Sequence, residues 1–83
     1  TGMEWRNLQR DERSSYIKQA LEQLVEEDQV VITLFYLNEN SLAEICEITN
    51  WELSNVKVRL HRARKRLLIE LEKLLETEVR SLL

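Results

Sequence analysis

The apolar residues of this chain recur at steps of three and four, which is the spacing of one face of an α-helix. The first such run lies within residues 11–24, where one stripe consists of Tyr16, Ile17, Ala20, Leu21 and Leu24. Hydroxyl side chains often cap helix N-termini, so Ser14 or Ser15 is expected near the start of this element. The pattern predicts a first helix.

The second run is the most apolar part of the chain and extends from Val30 to Leu37. Three acids precede it, at Glu26, Glu27 and Asp28. Negative charge is favourable in the first turn of a helix, so these acids indicate the N-terminus of a second, central helix. The polar residues 38–40 then interrupt the pattern.

A third, short helix is predicted after this interruption. Ser41 and Glu44 have the spacing of a capping box, and the apolar residues expected to point inward are Leu42, Ile45 and Ile48. Residues 49–52 form the next break, where Asn50 is best suited to the left-handed conformation of a tight turn. A last helix is then predicted from about residue 53 to about residue 78.

This last helix separates into two faces. One stripe is apolar and should be buried: Leu53, Val56, Leu60, Ala63 and Leu67. The opposite side is polar or charged: Ser54, Lys57, Val58, His61, Arg62 and Lys65. Two helices joined by a short turn, with cations on the second, are typical of a helix-turn-helix, whose second helix enters the major groove of DNA.

Composition agrees with an all-α fold, because the 83 residues include no Pro and one Gly. We expect a small helical bundle with a helix-turn-helix, about four helices and a long last one. Residues 1–10 are interpreted as an N-terminal segment, a tag scar or linker. Residues 11–83 form the DNA-binding domain, in which residues 68–83 are a leucine-rich helical tail.

The charge pattern reverses sign along the chain, although the formal net charge is only −3. Between Lys18 and Lys57 there are eight acids and no Lys or Arg, whereas residues 53–69 hold six cations and no acid. Clustered cations on one element are what phosphate contacts require. The basic segment therefore favours nucleic-acid binding. The acidic segment is expected to be the solvated back of the bundle, and the alternative is a surface that repels DNA from the wrong faces and is open to a basic partner.

Other classes of function are disfavoured. One Cys and one His cannot form a disulfide or a tetrahedral zinc site, and Cys46 is expected to be a small buried hydrophobe. His61 has cations as its neighbours and no partner for acid–base catalysis, so neither an enzyme nor a cofactor is predicted. No apolar run approaches the roughly 20 residues of a membrane span, and a cytoplasmic protein is expected.

Residues 41–67 resemble region 4 of an extracytoplasmic-function sigma factor. Residues 56–67, VKVRLHRARKRL, are close to the family pattern TVKSRLHRARKRL, and the resemblance extends over about residues 16–70. The chain departs from the family at a few positions. Val25 stands for the usual Pro, two turn glycines are replaced by Asn40 and Asn50, and the recognition helix carries Glu52, Asn55 and Val58 in place of Ser, Thr and Ser.

The resemblance implies a domain that recognises the minus-35 promoter element and docks on the flap of the β subunit of bacterial RNA polymerase. We expect the groove of DNA to be faced by Lys57, Val58, His61 and Arg62, with Ser54, Asn55 and Lys65 positioning the backbone. Further phosphate contacts are assigned to Arg59, Arg64 and Arg66. For Arg59, an ion pair with Glu44 or Glu47 is the preferred alternative.

Several alternatives remain open. The tail of residues 68–83 either seals the small core or pairs with a second copy or an anti-sigma factor as an amphipathic helix. A dimer through this tail would favour a stand-alone helix-turn-helix regulator, whereas a monomer favours the sigma-factor domain. The basic face could instead bind an acidic protein. Trp51 is expected to fill the core between two helices, and Trp5 is assigned either to the bundle or to the linker.

Overall fold

The computed structural model describes the backbone of residues 8–82 and the side chains of residues 8–77. This part of the chain is all-α, as predicted, with four α-helices and no strand. The helices are α1 (Arg10–Glu22), α2 (Glu26–Ile32), α3 (Leu42–Thr49) and α4 (Leu53–Leu82), and a π-helical segment, Thr33–Leu37, extends α2. Trp5 and the rest of residues 1–7 lie outside the described residues.

Helix α1 begins earlier than the sequence pattern suggested. Its N-cap is Gln9, whose backbone N–H donates to the Glu12 carboxylate at 3.1 Å. The carbonyl of Gln9 accepts the first helical hydrogen bond from the N–H of Arg13. Ser14 and Ser15, expected near the start of this helix, lie in its second turn and do not cap it, because the Gln9–Glu12 capping box already satisfies the N-terminus.

Helix α2 begins with the three predicted acids, and the segment that extends it, Thr33–Leu37, adopts π-helical geometry. The N–H of Asn38 donates to the carbonyl of Thr33 at 2.9 Å, five residues earlier. One extra residue per turn rotates the following side chains relative to an α-helix. Tyr36 and Leu37 consequently emerge at the surface, and the chain leaves the segment through Glu39, whose φ is 56°.

The capping box of α3 forms as predicted. The N–H of Ser41 donates to Glu44 Oε1 at 2.8 Å, and the N–H of Glu44 donates to the Ser41 hydroxyl at 3.1 Å. The hydrogen bond from the Ser41 backbone, and then that from its side chain, lower the pKa of the Glu44 carboxyl below its usual 4.5. This contact therefore favours the folded state above that pH and is lost as the pH falls through the lowered pKa.

The turn between α3 and α4 also agrees with the sequence. Asn50 takes the left-handed conformation, with φ 61° and ψ 23°, and its N–H donates to the carbonyl of Cys46. The hydroxyl of Thr49 donates to the carbonyl of Ile45 at 2.6 Å and accepts the N–H of Trp51. These bonds satisfy backbone carbonyls in the last turn of α3 and fix the direction in which α4 begins.

The core lies where α2, α3 and the first half of α4 meet. Its buried members are Val31, Ile32, Ile45, Val56, Leu60 and Ala63, with Trp51, Cys46 and Leu67 half-buried against them. Two predicted core residues are outside it, since Ile48 is 59 % exposed and Leu53 is 47 % exposed. Both flank the tight turn, where the two helices diverge and leave the outer ends of their apolar stripes uncovered.

Up to residue 82, the leucine-rich tail continues α4 without a break, so that the helix is 30 residues long and the molecule measures 47 × 20 × 18 Å. It does not fold back over the core. Helix α1 packs against α4, and Leu75 is buried within the chain. Across the described residues, no helix is both long enough and apolar enough to cross a membrane.

Candidate nucleic-acid interface

The exposed face of α4 begins directly after the turn. All seven residues predicted to meet or position DNA are exposed: Ser54, Asn55, Lys57, Val58, His61, Arg62 and Lys65. Val56, Leu60 and Ala63 of the same helix are buried. The amphipathic pattern therefore distinguished surface from core along this part of α4, while contact with DNA stays a prediction.

The six cations of α4 fall into two groups. Lys57, Arg62 and Lys65 form no ion pair or hydrogen bond with any described residue. The other three, Arg59, Arg64 and Arg66, each contact a side chain of the chain itself. An unpaired cation on an exposed helix face is available to a phosphate without breaking an existing contact.

Arg59 contacts the turn instead of the acids of α3. Its guanidinium carbon lies 4.6 Å from the ring centroid of Trp51, and its Nε donates to Asn55 Oδ1 at 3.1 Å. The predicted ion pair with Glu44 or Glu47 is absent among the described residues. The half-buried indole provides a flat, electron-rich surface that a guanidinium stacks on, which explains the preference for this side.

Arg66 pairs with an acid that the sequence assigned to the solvated side. Its Nη1 lies 2.7 Å from Asp28 Oδ2, and this bond joins α4 to the first turn of α2. Asp28 is only 3 % exposed, so at this position the expectation of a solvated acidic face was wrong. A carboxylate can be buried here because both the guanidinium and the N-terminus of α2 stabilise its charge.

Arg66→Ala is expected to lower the free energy of unfolding by about 1–2 kcal/mol, because it leaves the buried Asp28 carboxylate without its partner. Asp28→Asn should lower the free energy of unfolding by a smaller amount, since Arg66 is half exposed and water can solvate its guanidinium. Chemical denaturation of both variants and of the double variant measures the coupling. Additive effects in the double variant would show that the pair contributes nothing as a pair.

Arg64 lies beside an apolar groove on the other flank of α4. Its guanidinium carbon is 5.7 Å from the ring centroid of Tyr36. The groove has a volume of about 730 Å³ and is lined by α1, by α2 with the π-helical segment that extends it, and by α4. Its apolar residues include Ile17, Leu21, Leu37, Leu68 and Leu71, and its polar border consists of His61, Arg64 and Lys65.

This groove was not predicted as a set of residues. The heptad-like spacing of the tail suggested an apolar stripe, but the exposure of Tyr36 and Leu37 depends on the π-helical segment, which leaves no signal in the sequence. His61 and Lys65 border the groove and also belong to the predicted DNA face. The two surfaces therefore share an edge along α4.

No site for a metal ion is evident among residues 8–77, since no three His, Cys, Asp or Glu side chains in that range are grouped closely enough to hold one. Cys46, the one cysteine of the chain, is a half-buried free thiol. The exposed face of α4 therefore offers positive charge, hydrogen-bond donors and apolar contact to a partner.

Comparison with known proteins gives three matches. The family model described as Sigma-70, region 4, matches residues 14–67. The RNA polymerase sigma factor YlaC of Bacillus subtilis (strain 168) is 39 % identical over 71 residues, which cover 86 % of this chain and 41 % of that protein. The ECF RNA polymerase sigma factor SigW of the same organism is 43 % identical over 56 residues, 68 % of this chain and 30 % of that protein. No solved structure matches significantly.

Proposed function

Because the chain belongs to the sigma-70 region 4 family, we propose that it recognises the minus-35 element of bacterial promoters as one domain of an RNA polymerase sigma factor. The chain spans less than half the length of the two relatives it matches. The observation that carries the proposal is the set of exposed cations, Lys57, Arg62 and Lys65, that pair with no described residue. They lie on the second helix of a helix-turn-helix, which is the element that enters the major groove in this motif.

The contacts we propose follow from exposure and charge. Lys57 and Arg62 face the groove, where a bidentate Arg–guanine pair discriminates by about 1–3 kcal/mol. Val58 and His61 lie on the same exposed face, and the methyl groups of Val58 suit a thymine methyl. Ser54 and Lys65 contact the backbone. A few phosphate contacts give weak binding by the isolated domain and a marked dependence on salt.

The second surface that we assign to this function is the apolar groove, as the docking site for the RNA polymerase core through the flap of its β subunit. Tyr36, Leu37 and Leu68 expose apolar surface there. An amphipathic helix lying in the groove would cover this surface. The cations on its border would meet acidic side chains of the incoming element, and the shared edge places polymerase and DNA side by side.

Leu68→Glu is expected to weaken binding to RNA polymerase core at least roughly tenfold, because a charge enters the apolar groove and must be desolvated on docking. Ile69→Glu is the matched control: Leu68 is 56 % exposed and Ile69 50 %, but Ile69 does not line the groove. Affinity capture of core polymerase by the two variants makes the comparison. Equal loss in both, or loss in neither, would contradict the assignment of the groove.

Selection of bound duplexes from a randomised DNA pool tests the promoter-reading function itself. The proposal expects enrichment of one short, asymmetric motif, because a monomer presents a single recognition helix. A dimeric helix-turn-helix regulator, the alternative function, would enrich two half-sites one helical turn apart. Burial of Leu75 within the single chain supports the monomer. An anti-sigma factor remains a proposed partner for the apolar surface of the leucine-rich tail. The cytoplasm, where promoters are read, is the proposed location.

A further inference from the structure

We propose that Arg59 is a positioning residue, which holds the side-chain amide of Asn55 so that Asn55 meets DNA as a hydrogen-bond donor and not as an acceptor. The inference rests on the proposed function and concerns how the same face selects its target. It assigns a function to three residues at the start of the recognition helix: Trp51, Asn55 and Arg59.

The three side chains form a chain of contacts that begins at the core. Trp51 is half-buried and packs against the core cluster, so its indole is held from one side by the fold. The guanidinium of Arg59 lies over that ring at 4.6 Å, and its Nε reaches Asn55 Oδ1 at 3.1 Å. Asn55 itself is exposed in the first turn of α4. A rigid element thereby fixes a surface amide.

The chemistry of the contact determines the orientation of the amide. The Nε of an arginine carries a proton and can only donate, so the Asn55 atom that faces it must be the oxygen. The Nδ2 group, with its two protons, is then directed away from Arg59. Rotation of the amide by half a turn would set two donors against each other and lose the bond. Asn55 is therefore presented with its donor outward.

This orientation restricts what Asn55 can recognise. Asparagine reads adenine by accepting from N6 and donating to N7, which requires both ends of the amide. The oxygen already accepts from Arg59 and keeps only one lone pair, whereas the outward Nδ2 donates to acceptors: a phosphate oxygen, N7 of a purine, O6 of guanine or O4 of thymine. The shared chemistry is a hydrogen-bond acceptor on DNA, whether it belongs to a base edge or to the backbone.

Arg59 then contributes to binding through Asn55, and this differs measurably from a direct phosphate contact. A cation that neutralises a phosphate adds about −0.9 to the slope of log K against log salt concentration, and its removal reduces the slope by about 1. A cation that only orients a neighbour leaves that slope unchanged. Salt dependence therefore separates the two roles of Arg59 where affinity alone does not.

The test is a double-mutant cycle on DNA binding with Arg59→Ala, Asn55→Ala and the double variant, using the highest-affinity duplex selected by the wild-type chain. Each single variant should lose roughly five- to tenfold in affinity, about one hydrogen bond, and the double variant should lose no more than either. The salt slope of Arg59→Ala should equal that of wild type. Additive losses, or a slope reduced by about 1, would overturn the inference.

Asn55→Asp gives an independent test on an exposed residue whose replacement leaves the core intact. It keeps the contact with Arg59 but replaces the outward donor by an acceptor, so the affinity should fall at least as far as in Asn55→Ala. Wild-type affinity in this variant would refute the donor role. Duplexes with a neutral methylphosphonate or a 7-deazaguanine at single positions then distinguish a phosphate from a base acceptor. The acceptor of Asn55 is the modified group for which Asn55→Ala causes no further loss of affinity.

The outcomes also separate this inference from the function on which it rests. If the wild-type chain selects no duplex, the proposed function fails and the inference fails with it. If wild type binds selectively but the cycle is additive, only the positioning role is lost. Circular dichroism of Arg59→Ala checks that α4 is intact.

Discussion

Leu60→Ala is expected to lower the free energy of unfolding by about 2–5 kcal/mol, the largest effect that we predict for a single substitution. Leu60 is buried in the core cluster with Val31, Ile45 and Val56, where α2, α3 and α4 meet. Truncation removes three carbon atoms and leaves a cavity that the surrounding helices cannot fill. In a domain of this size such a loss is a large part of the total stability.

Thermal or denaturant unfolding followed by circular dichroism measures this effect. Leu53→Ala is the matched control, because it makes the same chemical change in the same helix at a position that is 47 % exposed. It should change the free energy of unfolding by less than about 1 kcal/mol. Similar losses in the two variants would mean that the core does not lie where α2, α3 and α4 meet.

The features predicted correctly from the sequence are those that depend on neighbours along the chain. The Ser41–Glu44 capping box, the left-handed Asn50 and the division of residues 54–65 into buried and exposed faces each involve residues within a few positions of one another. Local hydrogen bonding and helical periodicity fully determine such features, so a pattern is sufficient to identify them.

The features that were missed depend on how the helices pack or on backbone geometry, which the spacing of residues does not report. Asp28 and Arg66 are 38 positions apart, and nothing in the acidic segment distinguishes the one acid that is buried. Ile48 and Leu53 fit the apolar stripes but lie where α3 and α4 diverge. The stacking of Arg59 on Trp51 depends on the path of the turn, and the apolar groove on π-helical geometry. Periodicity contains no information on these points.

Lys57→Ala and Arg62→Ala are expected to weaken binding to promoter DNA by about 1–3 kcal/mol each while leaving the helical fold intact. Both residues are exposed and form no ion pair or hydrogen bond with any described residue, so their loss creates neither a cavity nor an unpaired buried charge. If a residue contacts a base edge, its variant should also lose preference at one position of the duplex. If it contacts a phosphate, binding should weaken for all sequences alike.

Lys73→Ala provides the control for these two variants. Lys73 is an exposed cation on the same helix, paired with Glu70 at 3.3 Å, and it lies two turns beyond the predicted DNA face. The Lys73→Ala substitution changes the net charge by the same amount and should leave the affinity for DNA nearly unchanged. Fluorescence anisotropy at equal ionic strength compares the three variants, and circular dichroism reports their folding. Unfolding of Lys57→Ala or Arg62→Ala would contradict the assignment of these residues to the exposed face.

Binding of the chain to a fluorescent library of bacterial promoter upstream elements, at two salt concentrations and with Arg62→Ala as the control, tests the central claim most directly. We predict sequence-selective binding that weakens as salt rises and is weaker in the variant by about 1–3 kcal/mol, because the selective contacts belong to one exposed helix face and the remaining ones to phosphates. Absence of binding to any element at low salt would contradict the account and would assign the basic face of α4 to a protein partner.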